Sequence, residues 1–405
     1  MKDVFKAQKV TDTVYWVGAI DWVLRDFHGY ATNRGTTYNA YLVLADTVAL
    51  IDAVKAPFKD ELLARIASVI DPKNISIIVS NHSEMDHTGC LPDVIEAVEP
   101  DAVYASRAGT EALARHFHGT GGIVAVEDGQ TVSLGNRTLS FIETKMVHWP
   151  DSMLSTLVEE QLLFSQDGFG MHLATSELFA DRLPREVLEF EAAKYFANIL
   201  MPLVSPILKA LGKVQEAGIE LAVVAPDHGP IWRRREDIEF IVGKYAGWCE
   251  QKPTRKAVVV YDTMWGSTER LARAIGEGLK AGGAEPKLMP LKGCHRSDIA
   301  TEVLEAGALV VGSPTLNNMM FPTVADVLTY LQGLRPKNLV GAAFGSYGWA
   351  AAGVKQVRET LEAMKVELVG EGLKVKYVPD GSDLKEAYSL GLAVAERLRE
   401  VCARA

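Results

Sequence analysis

At 405 residues, 48% of them hydrophobic and 23% charged, the chain is long enough for two globular domains and holds no low-complexity tract. Its formal net charge of −10 denies it the basic face that nucleic-acid binding needs, and no apolar run reaches the roughly 18–20 residues of a membrane span. The opening MKDVFKAQKV lacks the apolar centre of a secretion signal, and the scattered Cys90, Cys249, Cys294 and Cys402 form neither a disulfide framework nor a CxxC site. The expectation is a soluble, cytoplasmic protein with neither nucleic acid nor membrane as a partner.

In chain order, residues 41–44 and 47–51 are apolar runs separated by Ala45-Asp46, a hairpin signal. Strand-like runs follow at 77–80, 102–104, 139–142, 157–164 and 221–224, with helical periodicity at 58–69 and 108–116. That mixture predicts an α/β sandwich of packed sheets. The polar stretch Cys249-Glu-Gln-Lys-Pro-Thr-Arg-Lys256 reads as a linker, dividing the chain into 1–251 and 252–405. Beyond it, residues 257–261 are continuously apolar, and 269–281 set Leu271, Ala272, Ile275 and Leu279 on one helical face. Two more buried strands, 308–311 and 339–344, each precede a helical segment. Such βαβ alternation predicts a doubly wound parallel sheet.

The densest chemistry is His82-Ser-Glu-Met-Asp-His-Thr-Gly-Cys90, directly after an apolar run. His148, Asp167 and His228 also fall just past candidate strands, where ligand sites collect. Seven side chains can then converge: His82, Glu84, Asp86, His87, His148, Asp167 and His228. In extended backbone His82 and Glu84 share one face and can grip one ion, while a turn at residues 85–87 redirects Asp86 and His87 to a second. His148 completes the first site and His228 the second, with Asp167 as bridge. Singly, His148 or His228 would more often be a hydrogen-bonded structural histidine; it is their agreement that argues for metal. His116, His118 and His295 read as surface or helix residues, and His172 receives no role. Three carboxylates among seven ligands make a hard, anionic site that favours iron over redox-inert zinc.

In the second half, strand 257–261 runs into Asp262-Thr263-Met264-Trp265-Gly266-Ser267-Thr268 and then a helix. Hydroxyls of Thr263, Ser267 and Thr268 beside helix N–H groups make an uncharged phosphate cradle. Neither GxGxxG nor a P-loop lysine is present. Two further loops, Gly312-Ser313-Pro314-Thr315-Leu-Asn317-Asn318 and Gly345-Ser346-Tyr347-Gly348-Trp349, bring backbone groups and an aromatic ring to the same edge. Any one of them alone is an ordinary capped turn; together they suit FMN.

The first motif resembles the HxHxDH of the metallo-β-lactamase superfamily, with Glu84 at the second histidine, and the C-terminal half looks like a flavodoxin. The pair resembles the flavodiiron proteins, of the rubredoxin:oxygen oxidoreductase type. The likeness includes Asp26-Phe-His-Gly29, Gly35-Thr-Thr-Tyr-Asn39, His148-Trp-Pro-Asp-Ser-Met153 and Phe344-Gly-Ser-Tyr-Gly-Trp349. It implies an N-terminal αββα sandwich, a C-terminal flavodoxin-like sheet, FMN and two non-haem irons per chain. His82, Glu84, His148 and Asp167 would serve one iron, and Asp86, Asp167 and His228 the other, with His87 a ligand in many members and displaced in some. His28 and Tyr195 would stand near the bound gas. The implied activity is reduction of O2 to water or NO to N2O, with a donor such as rubredoxin. The implied assembly is a head-to-tail homodimer or a tetramer, in which Trp149 helps cover the partner's flavin. The rival reading is a di-zinc hydrolase with a flavodoxin-like accessory domain.

Overall fold

The computed structural model describes every residue except Met1, Lys2, Thr120, Gly121, Ala217 and Ile219. It contains two compact units, one of residues 1–28, 32–195 and 203–245, the other of 29–31, 196–202 and 246–405.

In the first unit a seven-stranded sheet follows chain order: Gln8–Lys9, Val14–Trp16, Tyr41–Val43, Val48–Ile51, Ile75–Ser80, Ala102–Ser106 and Ile123–Val126. Tyr41–Val43 and Val48–Ile51 pair antiparallel as the expected hairpin, whereas Ile75–Ser80 pairs parallel to both neighbours. A five-stranded sheet follows, from Thr131–Ser133 through Thr138–Glu143, Met153–Leu157 and Leu162–Phe164 to Val223–Ala225. The run 157–164, expected as one strand, is instead a hairpin: a 3-10 turn at Val158–Glu160 and Gln161 at φ 51° reverse the chain. Two consecutive glutamates there favour water over the sheet interior.

Side-chain alternation decides which face meets what. Tyr41, Val43, Ala49, Ile51, Ile77 and Val79 face Phe141, Met153, Leu157 and Phe164 of the other sheet. Leu42, Leu50 and Ile78, one residue out of phase, pack with Leu62, Ile66, Leu91 and Leu113 from covering helices. The result is a helix-covered αββα sandwich. One helical tract, Arg185–Glu216, is by length and composition apolar enough to cross a bilayer, an exception to the sequence expectation. It is broken at Phe196–Leu200 and Met201–Leu203 and buries Glu191, Lys194 and Asn198.

The second unit has a parallel sheet in the order Glu285–Pro290, Lys256–Tyr261, Ala308–Gly312, Val340–Tyr347, with Glu367–Leu368 and Leu373–Lys376 both beside the last. In chain order that is 2-1-3-4-5, the flavodoxin-like arrangement, whose switch point lies between the first and third strands. Both faces are covered, so Val258, Val259, Val260, Leu309, Val310 and Val311 are all buried and no polar alternation is seen. Segments 29–31 and 196–202 join this unit through Ala31 N to Ser297 Oγ (3.2 Å), Asn198 Nδ2 to Ser297 O (3.1 Å) and Tyr330 OH to Asn198 Oδ1 (2.8 Å).

Candidate functional site

Asn81 pins the chain where strand Ile75–Ser80 ends. Its backbone N and its Nδ2 donate to the two oxygens of Asp52 at 2.7 and 2.6 Å. His82 and Glu84 follow in extended chain, and the turn expected at 85–87 is a one-turn helix, Met85–Thr88. Thr88 Oγ1 donates to Glu84 O at 2.8 Å, which holds the helix entrance while Asp86 and His87 point inward, both buried.

The seven side chains converge. His148 Nε2 lies 2.8 Å from Asp167 Oδ2 and 3.1 Å from Glu84 Oε2, and His82 Nε2 lies 3.3 Å from the same Asp167 oxygen. On the other side, His87 Nε2 is 3.4 Å from Asp167 Oδ1 and 3.1 Å from His228 Nε2. His228 Nε2 is 3.2 Å from Asp86 Oδ2. Ligand atoms of His82, Glu84, His148 and Asp167 lie within 4.8 Å of one another, as do those of Asp86, His87 and His228. Asp167 therefore presents one oxygen to each cluster.

The donors fit metal. Nε2 of His82, both oxygens of Asp86 and Oδ1 of Asp167 are buried without a hydrogen bond, a debt that coordination would settle. Burial favours a neutral ring, yet Asp167 and Glu84 hold the His148 pKa up to about 10, and Asp167 foremost holds that of His82 up to about 9. Burial likewise opposes charge on Asp167 and Asp86, but the neighbouring imidazoles hold both below the usual carboxylate range. The cage thus balances anions with ring protons that an ion would displace.

His28 stands at the mouth, its mostly exposed ring 3.6 Å from Glu84 Oε1. Tyr195 is buried, its ring 5.2 Å from His172 and 6.2 Å from His228. Burial pushes the Tyr195 phenol well up and the His172 imidazolium well down, so both groups stay neutral. His172, given no role in the sequence reading, shares Thr36 Oγ1 with His228 at 2.9 and 3.2 Å. Asp227 was also missed. It is fully buried and forms a third group with His82, His87 and Asp167. Its one sequence signal is that it directly precedes His228.

At the switch point of the second unit lies a cavity of about 390 Å³. Met264, Trp265 and Ser267 line one side, and Pro314, Thr315, Asn317 and Asn318 a second. Ser346, Tyr347, Gly348 and Trp349 line a third, and Leu316 and Tyr377, not expected from sequence, complete it. The other expected residues stand behind the wall. Thr263 Oγ1 accepts from Gly266 N (3.0 Å), Thr268 Oγ1 meets Ser346 Oγ (2.9 Å), and Ser313 Oγ accepts from Phe321 N (2.8 Å). Trp265 is 94% exposed and Trp349 86%, leaving two bare aromatic faces at a helix N-terminus that starts at Ser267. A flat heteroaromatic phosphate such as FMN fits that wall.

Residues 36–229 match the ODP family of beta lactamases, and residues 259–391 match the flavodoxin family. The chain is 46% identical over 395 residues, 96% of its length and 98% of the relative's, to a nitric oxide reductase of Moorella thermoacetica. It superposes on the rubredoxin oxygen:oxidoreductase of Desulfovibrio gigas with a TM-score of 0.97 at 45% identity, covering 98% of this chain and 100% of that one. The corresponding values for a flavodiiron protein from Giardia intestinalis are 0.94 and 32%, covering 98% of each.

Proposed function

The chain belongs to the flavodiiron family, and from that premise we infer that it passes electrons from a small redox protein of the rubredoxin kind, through FMN, to a pair of irons where O2 is reduced to water or NO to N2O. The observation that carries the reading is Asp167, whose oxygens face two separate clusters of donors. His82, Glu84, His148 and Asp167 would hold one iron; Asp86, Asp167 and His228 would hold the other. His87 joins the second because its Nε2 faces Asp167 and His228. Glu84 argues against the di-zinc hydrolase, since its oxygen replaces a nitrogen donor and hardens the site toward iron.

Bound FMN and iron supply the electron transfer that no side chain here can perform. The rest falls to the protein. Reducing O2 to two waters consumes four electrons and four protons; converting two NO to N2O and one water consumes two of each. Tyr195, held as a phenol, keeps its proton beside His172 and His228, and neutral His172 adds no charge there. His28, exposed at the mouth, stands between water and Glu84 and is placed to relay protons. Thr263 to Thr268, 313 to 318 and 346 to 349 would seat the FMN.

The exposed Trp265, Trp349 and Met319 beside the cavity, and Met85 and Met146 on the first unit, support a head-to-tail homodimer that covers them, with a tetramer as an extension. All four cysteines are unpaired, in keeping with the cytoplasm. The deciding experiment loads the protein with ferrous iron and follows O2 and NO consumption side by side, anaerobically for NO, with reduced rubredoxin as donor. About two irons per chain and a yellow chromophore are expected. Tightly held zinc with esterase activity, or colourless protein, would overturn the reading.

A further inference from the structure

We propose that Asp227 is a positioning residue, one buried carboxylate that holds the back edges of both His82 and His87 so that their Nε2 atoms face the cage. The inference rests on reading that cage as a metal site. Asp227 Oδ2 lies 3.7 Å from His82 Nδ1 and 3.7 Å from His87 Nδ1. The two rings are neighbours, with centroids 4.9 Å apart at 40°. His82 belongs to the cluster around Glu84 and His148, and His87 to the cluster with Asp86 and His228. A single side chain therefore backs a histidine in each.

The unmet hydrogen bonds around these groups point to the same assignment. His82 Nδ1, His87 Nδ1 and both oxygens of Asp227 are all buried and make no hydrogen bond to any other described group. Orphaned buried polar atoms are uncommon, and these satisfy one another by a small closure. The alternatives are occupied. Asp52, a further buried carboxylate near His82 and His87, already accepts twice from Asn81. His228 has its own back-edge partner, with Nδ1 2.6 Å from Thr37 O.

Asp227 is also rigidly placed. Its N donates to Gln166 O at 2.8 Å, one residue from Asp167, and its O accepts from Asn39 N at 2.7 Å. The carboxylate is thus tied by backbone to the loop that carries the bridging Asp167. Accepting from Nδ1–H fixes each imidazole in the tautomer whose Nε2 lone pair is free for metal, and it strengthens that donor.

The test compares full-length parent, Asp227→Asn and Asp227→Ala, each loaded anaerobically with ⁵⁷Fe(II). Three quantities are read: FMN per chain, the rate of iron loss to a ferrous chelator, and the Mössbauer spectrum. Asn keeps one acceptor oxygen and the side-chain volume, so it remains informative if Ala fails to fold. The expected result is iron held about 10–100-fold less tightly in Asp227→Asn, with FMN content unchanged and both iron doublets altered. Iron loss within twofold of parent, with an unchanged spectrum, would overturn the proposal. So would loss of one iron with the other doublet intact, the signature of a direct ligand. A parent that takes up no iron refutes the metal reading itself and this proposal with it, so the two failures are distinguishable.

Discussion

Gly345 lies in strand Val340–Tyr347, and the adjacent Ser313 N donates to Phe344 O at 3.0 Å, so strand and neighbouring loop are laced together just below the flavin cavity. A Cβ on Gly345 would collide with the carbonyl oxygen of Ser313 and would meet its carbonyl carbon at 3.0 Å and Val354 Cγ2 at 2.9 Å. Ordinary contact begins near 3.4 Å, so the carbonyl carbon must retreat by about 0.4 Å (3.4 − 3.0) and the oxygen by more. Backbone cannot swing aside as a side-chain tip does. Overpacking of this kind costs about 1–3 kcal/mol. Empty loops can spread to relieve it, whereas loops closed on FMN cannot, so the strain should appear as lost affinity. At about 1.4 kcal/mol per tenfold, Gly345→Ala should bind FMN about 5- to 150-fold more weakly. The control is Gly333→Ala, outside the cavity, whose Cβ would meet nothing within 4 Å. Titrating FMN-stripped protein and following quenching of flavin fluorescence measures both. Gly345→Ala binding as tightly as parent, or no more impaired than Gly333→Ala, would refute the reasoning.

Replacing Glu84 by His removes a carboxylate 3.1 Å from His148 Nε2 and should shift competitive loading from iron toward zinc, with reductase turnover falling by at least ~10-fold; unchanged iron preference would contradict the hard-donor argument. Burial raises the Glu302 pKa, but Lys256 and Lys287, each 2.5 Å away, hold it below the usual value of 4.5. A carboxylate lowered on folding stabilises above its unfolded pKa, and that contribution fades as pH falls through 4.5 and below. Glu302→Gln should therefore lower the urea midpoint at pH 7 by at most about 1 kcal/mol equivalent and narrow the gap to parent under acid; an equal deficit at both pH values would contradict it. Monomers obtained by dilution or interface substitution should keep FMN and iron yet lose turnover, and full activity in a monomer verified by sedimentation would count against the head-to-tail dimer.

Much of the site was legible because its donors cluster in sequence. His82, Glu84, Asp86 and His87 fall within six residues after an apolar strand, and the apolar run itself located that strand. Their division between two clusters was readable from the one-turn reversal at Met85–Thr88. Asp227 was not, because a carboxylate that backs imidazoles has no spacing rule of its own; only the fold reveals which rings it faces. Tyr377 escaped for a similar reason. It reaches the flavin cavity from a short strand far along the chain, with no glycine-rich loop to announce it. The run 157–164 misled because its composition is apolar at both ends, and the reversal depends on two glutamates and a left-handed Gln161. Segments 29–31 and 196–202 carry no local mark of the unit they join, since that membership rests on hydrogen bonds spanning a hundred residues or more of sequence.

Those two borrowed segments bear on how the gene can be cut. A C-terminal piece begun at residue 252 would lack Ala31 and Asn198, and with them three of the hydrogen bonds that Ser297 and Tyr330 make in the whole chain. Exchanging flavin modules between relatives at that single junction would mismatch these contacts unless all three stretches travel together. Recombination within the family is thereby constrained at positions that lie far in sequence from the rest of the flavin module.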